Sequence, residues 1–307
     1  MRSASIAKLF QVARPQFLLA GMALYAFGAL WALLLGAPFS LPRILLGYLV
    51  LLPAHLSISY SNDYFDVEVD KHDKPTFFTG GSGVLLDHPE LRKPALWTAI
   101  SLIVCSMALG IVLQIVYSFP IWFLGFVLLG NLLGWFYSAP PLRLAYRGFG
   151  ELAMAFSIGV LIPGLGYLVT SGQMNRDGFI FLVPLSLYGL AFLLTVEIPD
   201  MESDRLGNKR TWVARKGRSF GFTVIAVSFL LATLFFFCFP WLTSQIYPLD
   251  FRFLGILSLL PLAAGSIGLL KRNADRQSAN QVVNLIMITI AALCILADGY
   301  MAYLLLS

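Results

Sequence analysis

The sequence predicts an all-α fold: an integral membrane bundle of nine transmembrane helices. Three observations carry this expectation. Hydrophobic residues make up 58% of the 307-residue chain and charged residues 12%, with a mean hydropathy of +0.80, a balance that cannot supply a soluble domain with its hydrated surface. Apolar runs of about 20 residues, long enough to cross the hydrocarbon as helices, recur nine times. Lys and Arg fall almost entirely in alternate connections, eighteen of the 21 on one side. The longest connection, 63–94, is too short to fold alone, so residues 1–307 read as one domain.

The first run, 16–35, follows Arg2, Lys8 and Arg14. It is too long for a removable signal peptide and has no obvious small-residue cleavage site after it, so it is retained as helix one. The second, 43–61, leaves the membrane through NDYFDVEVD, residues 62–70. The third and fourth, 95–114 and 119–136, are followed by YSAPPLRLAYRGFGE, residues 137–151. The fifth and sixth, 149–169 and 179–198, flank Arg176, and the sixth runs into EIPDMESDRLGNKRT, residues 197–211. The last three, 219–240, 252–270 and 282–304, are joined through Arg252 on one side and Lys271, Arg272 and Arg276 on the other. Only Arg43, Arg176 and Arg252 lie on the charge-poor side. The positive-inside rule therefore puts the N-terminus and both acidic segments in the cytoplasm and the C-terminus opposite, in the cell membrane for a prokaryotic source. The net charge of +5 reflects this topology and is no sign of nucleic-acid binding. Cys105, Cys238 and Cys294 sit inside spans without pairing or metal-ligand spacing and read as lipid-facing or core thiols.

The chemistry concentrates in the two acidic segments. Asn62, Asp66 and Asp70 recur every four residues, which stacks them on one face if the segment stays helical. Glu197, Asp200 and Asp204 fall at equivalent spacing. Both segments end even-numbered spans and so open on the same side. Facing carboxylates repel unless something positive lies between them, and oxygen-only ligands select a hard cation, most simply Mg2+. Such a metal suits a strongly anionic ligand such as diphosphate, bridged through phosphate oxygens. Arg143 and Arg147, near Tyr137, offer guanidinium forks to phosphate, or serve topology and lipid headgroups alone. A diphosphate at the mouth of apolar helices leaves room between them for an isoprenoid tail.

Other residues keep two readings each. His55 is on the face of Asn62, lining a cavity or packing through a hydrogen bond. Arg14, before Pro15, touches diphosphate or anchors helix one. Glu151 follows the arginine segment and pairs with Arg147 or contacts an acceptor. Asp298, inside the last span, is expensive there and functional by default, yet it lies far from both acidic segments and is left out of the site.

These motifs resemble those of the UbiA superfamily of intramembrane prenyltransferases. Its NxxxDxxxD motif is similar to Asn62, Asp66 and Asp70, and its following lysine-proline and glycine stretch to Lys74 through Gly81, with Phe77 where many members carry arginine. The second motif is similar to Asp200, Asp204, Gly207, Asn208, Lys209 and Thr211, with Glu197 at a start often occupied by Asp or Asn. Tyr137, Arg143 and Arg147 match the tyrosine-plus-basic motif. The wording there is nearest to the menaquinone branch, which prenylates 1,4-dihydroxy-2-naphthoate, although that branch often has a longer, glycine-containing first motif. The resemblance implies a nine-helix bundle around a central cavity, a lateral opening to membrane lipid, and Mg2+-dependent transfer of a polyprenyl group from polyprenyl diphosphate to an aromatic acceptor, with no obligate protein partner evident. It implies that Asn62, Asp66, Asp70, Asp200 and Asp204 hold the metal, and that Asn62, Lys74, Tyr137, Arg143, Arg147 and Lys209 bind diphosphate. Asp66, Asp70, Asp200, Asp204 and Arg143 are the catalytic candidates. A terpene cyclase on the same scaffold, and a transporter or binding protein for an anionic lipid, remain as alternatives. The chain has no nucleotide-binding glycine loop for an ATP-driven pump, and no DGxxAR opening of a CDP-alcohol phosphotransferase.

Overall fold

The computed structural model describes residues 2–72, 78, 80–242, 246–272 and 275–307. Nine helices dominate them: α1 (Pro15–Leu34), α2 (Leu41–Phe65), α3 (Arg92–Val116), α4 (Trp122–Ser138), α5 (Gly150–Ser171), α6 (Leu182–Leu206), α7 (Arg218–Leu242), α8 (Phe251–Leu270) and α9 (Arg276–Leu306). Eight of the described helices are long and apolar enough to cross a membrane. The remaining expected span, 119–136, coincides with α4, an apolar helix of 17 residues. At 1.5 Å per residue α4 reaches about 25 Å, short of the roughly 30 Å hydrocarbon core. It stops because Ala139 precedes Pro140 and takes the extended conformation (ψ 144°) that a following proline imposes.

α2 and α6 each continue several residues past the apolar run that announced them, ending at Phe65 and Leu206. Hydropathy marks only the stretch that faces lipid or core, whereas the helix persists because its acidic last turns face inward. Outward faces carry large apolar side chains such as Trp97, Ile115 and Leu230, the pattern of a surface solvated by lipid.

The bundle closes on itself, since α9 packs against both α8 and α1. One core cluster, around Trp31, Phe222, Phe229 and Leu254, knits α1 to α6 through α9. A second, around Val50, Leu113, Phe123 and Leu168, knits α2 through α5. A cavity of about 790 Å³ lies between them, lined from every one of the nine helices except α3. In lipid there is no hydrophobic drive between helices, so close packing must come from small residues. α1 and α5 achieve it with Gly28, whose added Cβ would collide with the Pro163 carbonyl, and Gly166, whose added Cβ would collide with that of Tyr25. Just before Pro163, which has no N–H to return to the preceding turn, α5 widens into a π-helical turn at Ser157–Leu161. Ser157, Ile158 and Leu161 of that turn face the cavity.

Gly28→Ala should cost about 1–3 kcal/mol through overpacking, read as an earlier thermal unfolding midpoint in detergent. Gly125→Ala, where an added Cβ meets nothing within 4 Å, should leave the midpoint in place.

Candidate active site

α2 gives way at Asp66, which stands in a bend (φ −99°, ψ 6°) before the short helix Val67–Asp70. The four-residue repeat survives the bend, because the Asp66 N–H still bonds the Asn62 carbonyl at 2.8 Å and the Asp70 N–H the Asp66 carbonyl at 2.9 Å. Asn62, Asp66 and Asp70 therefore all line the cavity, and so does Asp63, which lies three residues before Asp66 and seven before Asp70 and shares their helical face. α6 brings Asp200, Ser203 and Asp204 to the same cavity. Glu197, the first residue of the second series, is buried and does not line it.

Each carboxylate placed in this low-dielectric mouth needs donors. Asp66 accepts from Ser138 Oγ (2.9 Å) and Tyr146 Oη (2.7 Å), and pairs with Lys209 Nζ at 2.8 Å. Asp63 pairs with Arg14 at 3.4 Å and accepts from the Ser82 hydroxyl and N–H. Asp200 accepts from the Gly80 N–H at 3.0 Å, and Asp204 from Thr211 Oγ1 at 3.1 Å. Arg14 also donates to the Gly80 carbonyl. The segment Gly80–Gly81–Ser82 thus joins helix one to both acidic motifs. Gly80 takes a positive φ of 83° there, and a Cβ on Gly81 would run into the Asp70 carboxylate.

Negative charge is still in excess. Asp63, Asp66, Asp70, Asp200 and Asp204 face only Arg14 and Lys209 among the described cavity-lining residues at this end. Burial pushes the Asp70 carboxyl up to about 8, with Asp63 and Asp66 adding to the effect and Lys209 and Arg14 opposing it. Burial works against the charge on Lys209, but Asp66 and Asp204 outweigh it and hold the ammonium well above its ordinary value. A shortfall of positive charge beside oxygen donors suits a hard cation, and the buried Asn62 Oδ1, which has no hydrogen-bond partner, adds a neutral oxygen to the set. Among the described residues no three His, Cys, Asp or Glu side chains converge into a cage of their own. That suits Mg2+, which commonly takes one or two carboxylates and completes its shell with phosphate and water.

Tyr137 lines the cavity, as expected of a substrate-facing residue, but the two arginines of its motif do not. Arg143 adopts a left-handed conformation (φ 44°) and precedes the helix Leu144–Arg147, so the two basic side chains do not stack one turn apart. The Arg143 guanidinium lies 3.9 Å over the Tyr146 ring and reaches Asp66 only through that tyrosine. Arg147 is exposed and donates to the Pro141 carbonyl at 2.9 Å. Glu151, one option for which was a pair with Arg147, instead accepts from the Trp212 backbone N–H. Arg14 both lines the cavity and anchors the entry to α1. Lys74 and Phe77 lie outside the described residues. Cys294 and Asp298 line the cavity at its other end: α9 begins beside Pro199, to whose carbonyl Arg276 donates, and Asp298 is 22 residues further on, about 33 Å at the helical rise. Cys105 and Cys238 are exposed on the outer surface.

Sequence reasoning missed Asp63, Ser82, Ser138 and Tyr146. For Asp63 the available signal was its spacing of three and seven residues from Asp66 and Asp70; for the others it was the demand of four acidic residues within 62–70 for partners, which periodicity alone could not assign.

Comparison with known proteins follows the same lines. The 1,4-dihydroxy-2-naphthoate octaprenyltransferase of Bacillus subtilis (strain 168) is 25% identical over 229 residues, 73% of this chain and 70% of that protein. A UbiA homolog from Archaeoglobus fulgidus, solved bound to GPP and Mg2+, superposes with a TM-score of 0.68 at 18% identity, covering 98% of this chain and 100% of that one. The apo UbiA homolog from Aeropyrum pernix K1 gives 0.63 at 16% identity, over 91% and 98% of the two chains. The structural likenesses establish the bundle. The UbiA prenyltransferase family matches residues 22–288, and with that extent matched, the chain belongs to this family and is a membrane prenyltransferase.

Proposed function

We propose that the protein transfers a polyprenyl group from polyprenyl diphosphate to an aromatic acceptor of the 1,4-dihydroxy-2-naphthoate class, in a Mg2+-dependent reaction with its polar mouth on the cytoplasmic side. The observation that carries this reading is the continuity of a carboxylate-rich, cation-poor mouth with an apolar cavity of about 790 Å³. The mouth suits a metal-bound diphosphate and the cavity suits its hydrocarbon tail. The acceptor class draws its support from the Bacillus relative.

In this reading Asn62, Asp66, Asp70, Asp200 and Asp204 hold Mg2+, which when bound supplies the positive charge that stabilises a departing diphosphate. Lys209 and Arg14 stand at the cavity mouth within the same polar cluster, Lys74 is a further candidate for diphosphate from the sequence motif alone, and Arg143 steadies Tyr146 against Asp66. The allylic C–O bond breaks with its electron pair leaving on diphosphate. A ring carbon of the acceptor then forms the new C–C bond, and the ring loses a proton to restore its aromaticity. Apolar walls exclude water from the cationic carbon, and Phe17, Tyr137 and Phe192 line the cavity with aromatic rings of the kind that can stabilise it.

Purified protein given Mg2+, farnesyl or geranylgeranyl diphosphate and a panel of 1,4-dihydroxy-2-naphthoate, 4-hydroxybenzoate and homogentisate should yield an acceptor-plus-prenyl mass that EDTA abolishes. A hydrocarbon or terpene alcohol formed without acceptor would replace transfer by cyclase or hydrolytic chemistry. No consumption of diphosphate would point to binding or transport. Asp66→Asn and Asp204→Asn should each lower turnover roughly 100-fold or more while the variants still elute as folded protein in detergent; activity near wild type would remove these residues from the site. A C-terminal alkaline phosphatase fusion in a bacterial host should be active, and an N-terminal one silent; the reverse would invert the orientation.

A further inference from the structure

Above its acidic mouth the cavity wall is almost wholly apolar. An aromatic acceptor with hydroxyl groups must nonetheless find a polar partner there, close enough to the mouth for one of its carbons to meet the allylic carbon.

His55 has that position. It lines the cavity from α2, seven residues before Asn62 and eleven before Asp66, on their helical face. The rise places it about 10 Å above Asn62. Among the described residues His55 makes no hydrogen bond or ion pair. A serine inside a span can turn its hydroxyl onto its own helix, as Ser57 and Ser61 do further along α2. An imidazole has no such recourse, and its donor and acceptor nitrogens are costly to leave unsatisfied at membrane depth. The fold also makes room for the ring, because a Cβ on Gly21 of α1 would overlap its Nδ1 and Cε1. Of the other polar side chains of the wall, Ser59 gives its hydroxyl to the Ala13 carbonyl and Ser157 carries a lone hydroxyl on the π-helical turn of α5, whereas the deeper ones are too far away. Tyr188 lies twelve residues from Asp200 along α6, about 18 Å, and Asp298 lies further still; neither can touch a one- or two-ring acceptor whose reacting carbon sits at the mouth.

We propose that His55 binds the acceptor: its imidazole hydrogen-bonds a hydroxyl of the hydroxylated aromatic and so sets which ring carbon faces the allylic carbon. The proposal rests on the prenyl-transfer reading. The test uses the full-length protein with Mg2+, geranylgeranyl diphosphate and 1,4-dihydroxy-2-naphthoate. His55→Leu should lower kcat/KM for the acceptor about tenfold, the size of one lost hydrogen bond, with the KM for the prenyl diphosphate changed by less than about twofold. His55→Gln, which keeps a donor and an acceptor, should recover most of the loss. Gly21→Ala, which keeps the imidazole but displaces it, should reproduce the acceptor-selective defect and keeps the test open if His55→Leu does not fold. Equal losses toward both substrates, or none, would overturn the assignment of His55. Absence of any prenylated product from the wild-type protein would instead overturn the transfer reading on which it rests.

Discussion

The structure depends on one constraint: carboxylates held at the end of an apolar cavity must each be given donors, and the chain near them is arranged to supply these. Asp66 alone draws in the end of α4 through Ser138, the helix Leu144–Arg147 through Tyr146, and the loop after α6 through Lys209. Asp63 and Asp200 together fix the segment at Gly80 and Ser82, and Arg14 ties that segment to the start of α1. Four parts of the sequence far apart along the chain converge because leaving any of these oxygens unpaired costs more than ordering a loop. The unusual backbone positions cluster here as well, with Arg14, Arg143 and Asn208 all at positive φ. Each flanks a site element, where surrounding contacts can hold a conformation that non-glycine residues seldom adopt.

Much of this was legible beforehand, and the limits have physical causes. Hydropathy located the spans because the lipid-facing surface is uniformly apolar, but it placed the ends of α2 and α6 early, since the last turns of those helices face a polar site. The four-residue spacing of Asn62, Asp66 and Asp70 placed them correctly on one cavity despite the bend at Asp66, because two backbone hydrogen bonds keep the register. For Arg143 and Arg147 no such register exists, because Arg143 is left-handed and stands outside the helix Leu144–Arg147 that carries the second arginine. Asp63 shares the helical face of Asp66 and Asp70, three and seven residues on, so periodicity admitted it; what a local pattern cannot show is that its partners across the mouth are Arg14 and Ser82.

The two halves of the bundle stand in different relations to this site. The cluster joining α1 to α6 through α9 is dense with aromatic rings, among them Trp31, Phe181 and Phe251, which pack edge-to-face or stacked. The half containing α2 to α5 has instead the short α4, the π-helical turn of α5 and the motif bend at Asp66. The irregular elements therefore lie on the side that supplies Tyr137, Ser138 and Tyr146, where backbone geometry must serve the polar mouth as well as packing.

The charge balance argues that this arrangement serves function rather than stability. Taking charged pairs out of water is seldom a net gain, because desolvation offsets most of the Coulomb attraction. An apolar plug of the same volume would satisfy the bundle without Arg14 or Lys209. What the plug would lack is the surplus of oxygen donors that remains after the internal pairs are made, five aspartates against Arg14 and Lys209 among the described residues lining this end of the cavity, with the unpartnered oxygen of Asn62 beside them. The internal pairs hold the carboxylates in place, and the surplus leaves the mouth short of positive charge. A ligand that brings its own cation satisfies that shortfall, whereas a neutral lipid does not. The same reasoning explains why the polar and apolar regions are so sharply divided: the mouth gains from concentrated charge, and the cavity beyond it gains from having almost none, since a reactive carbocation survives only where water is excluded.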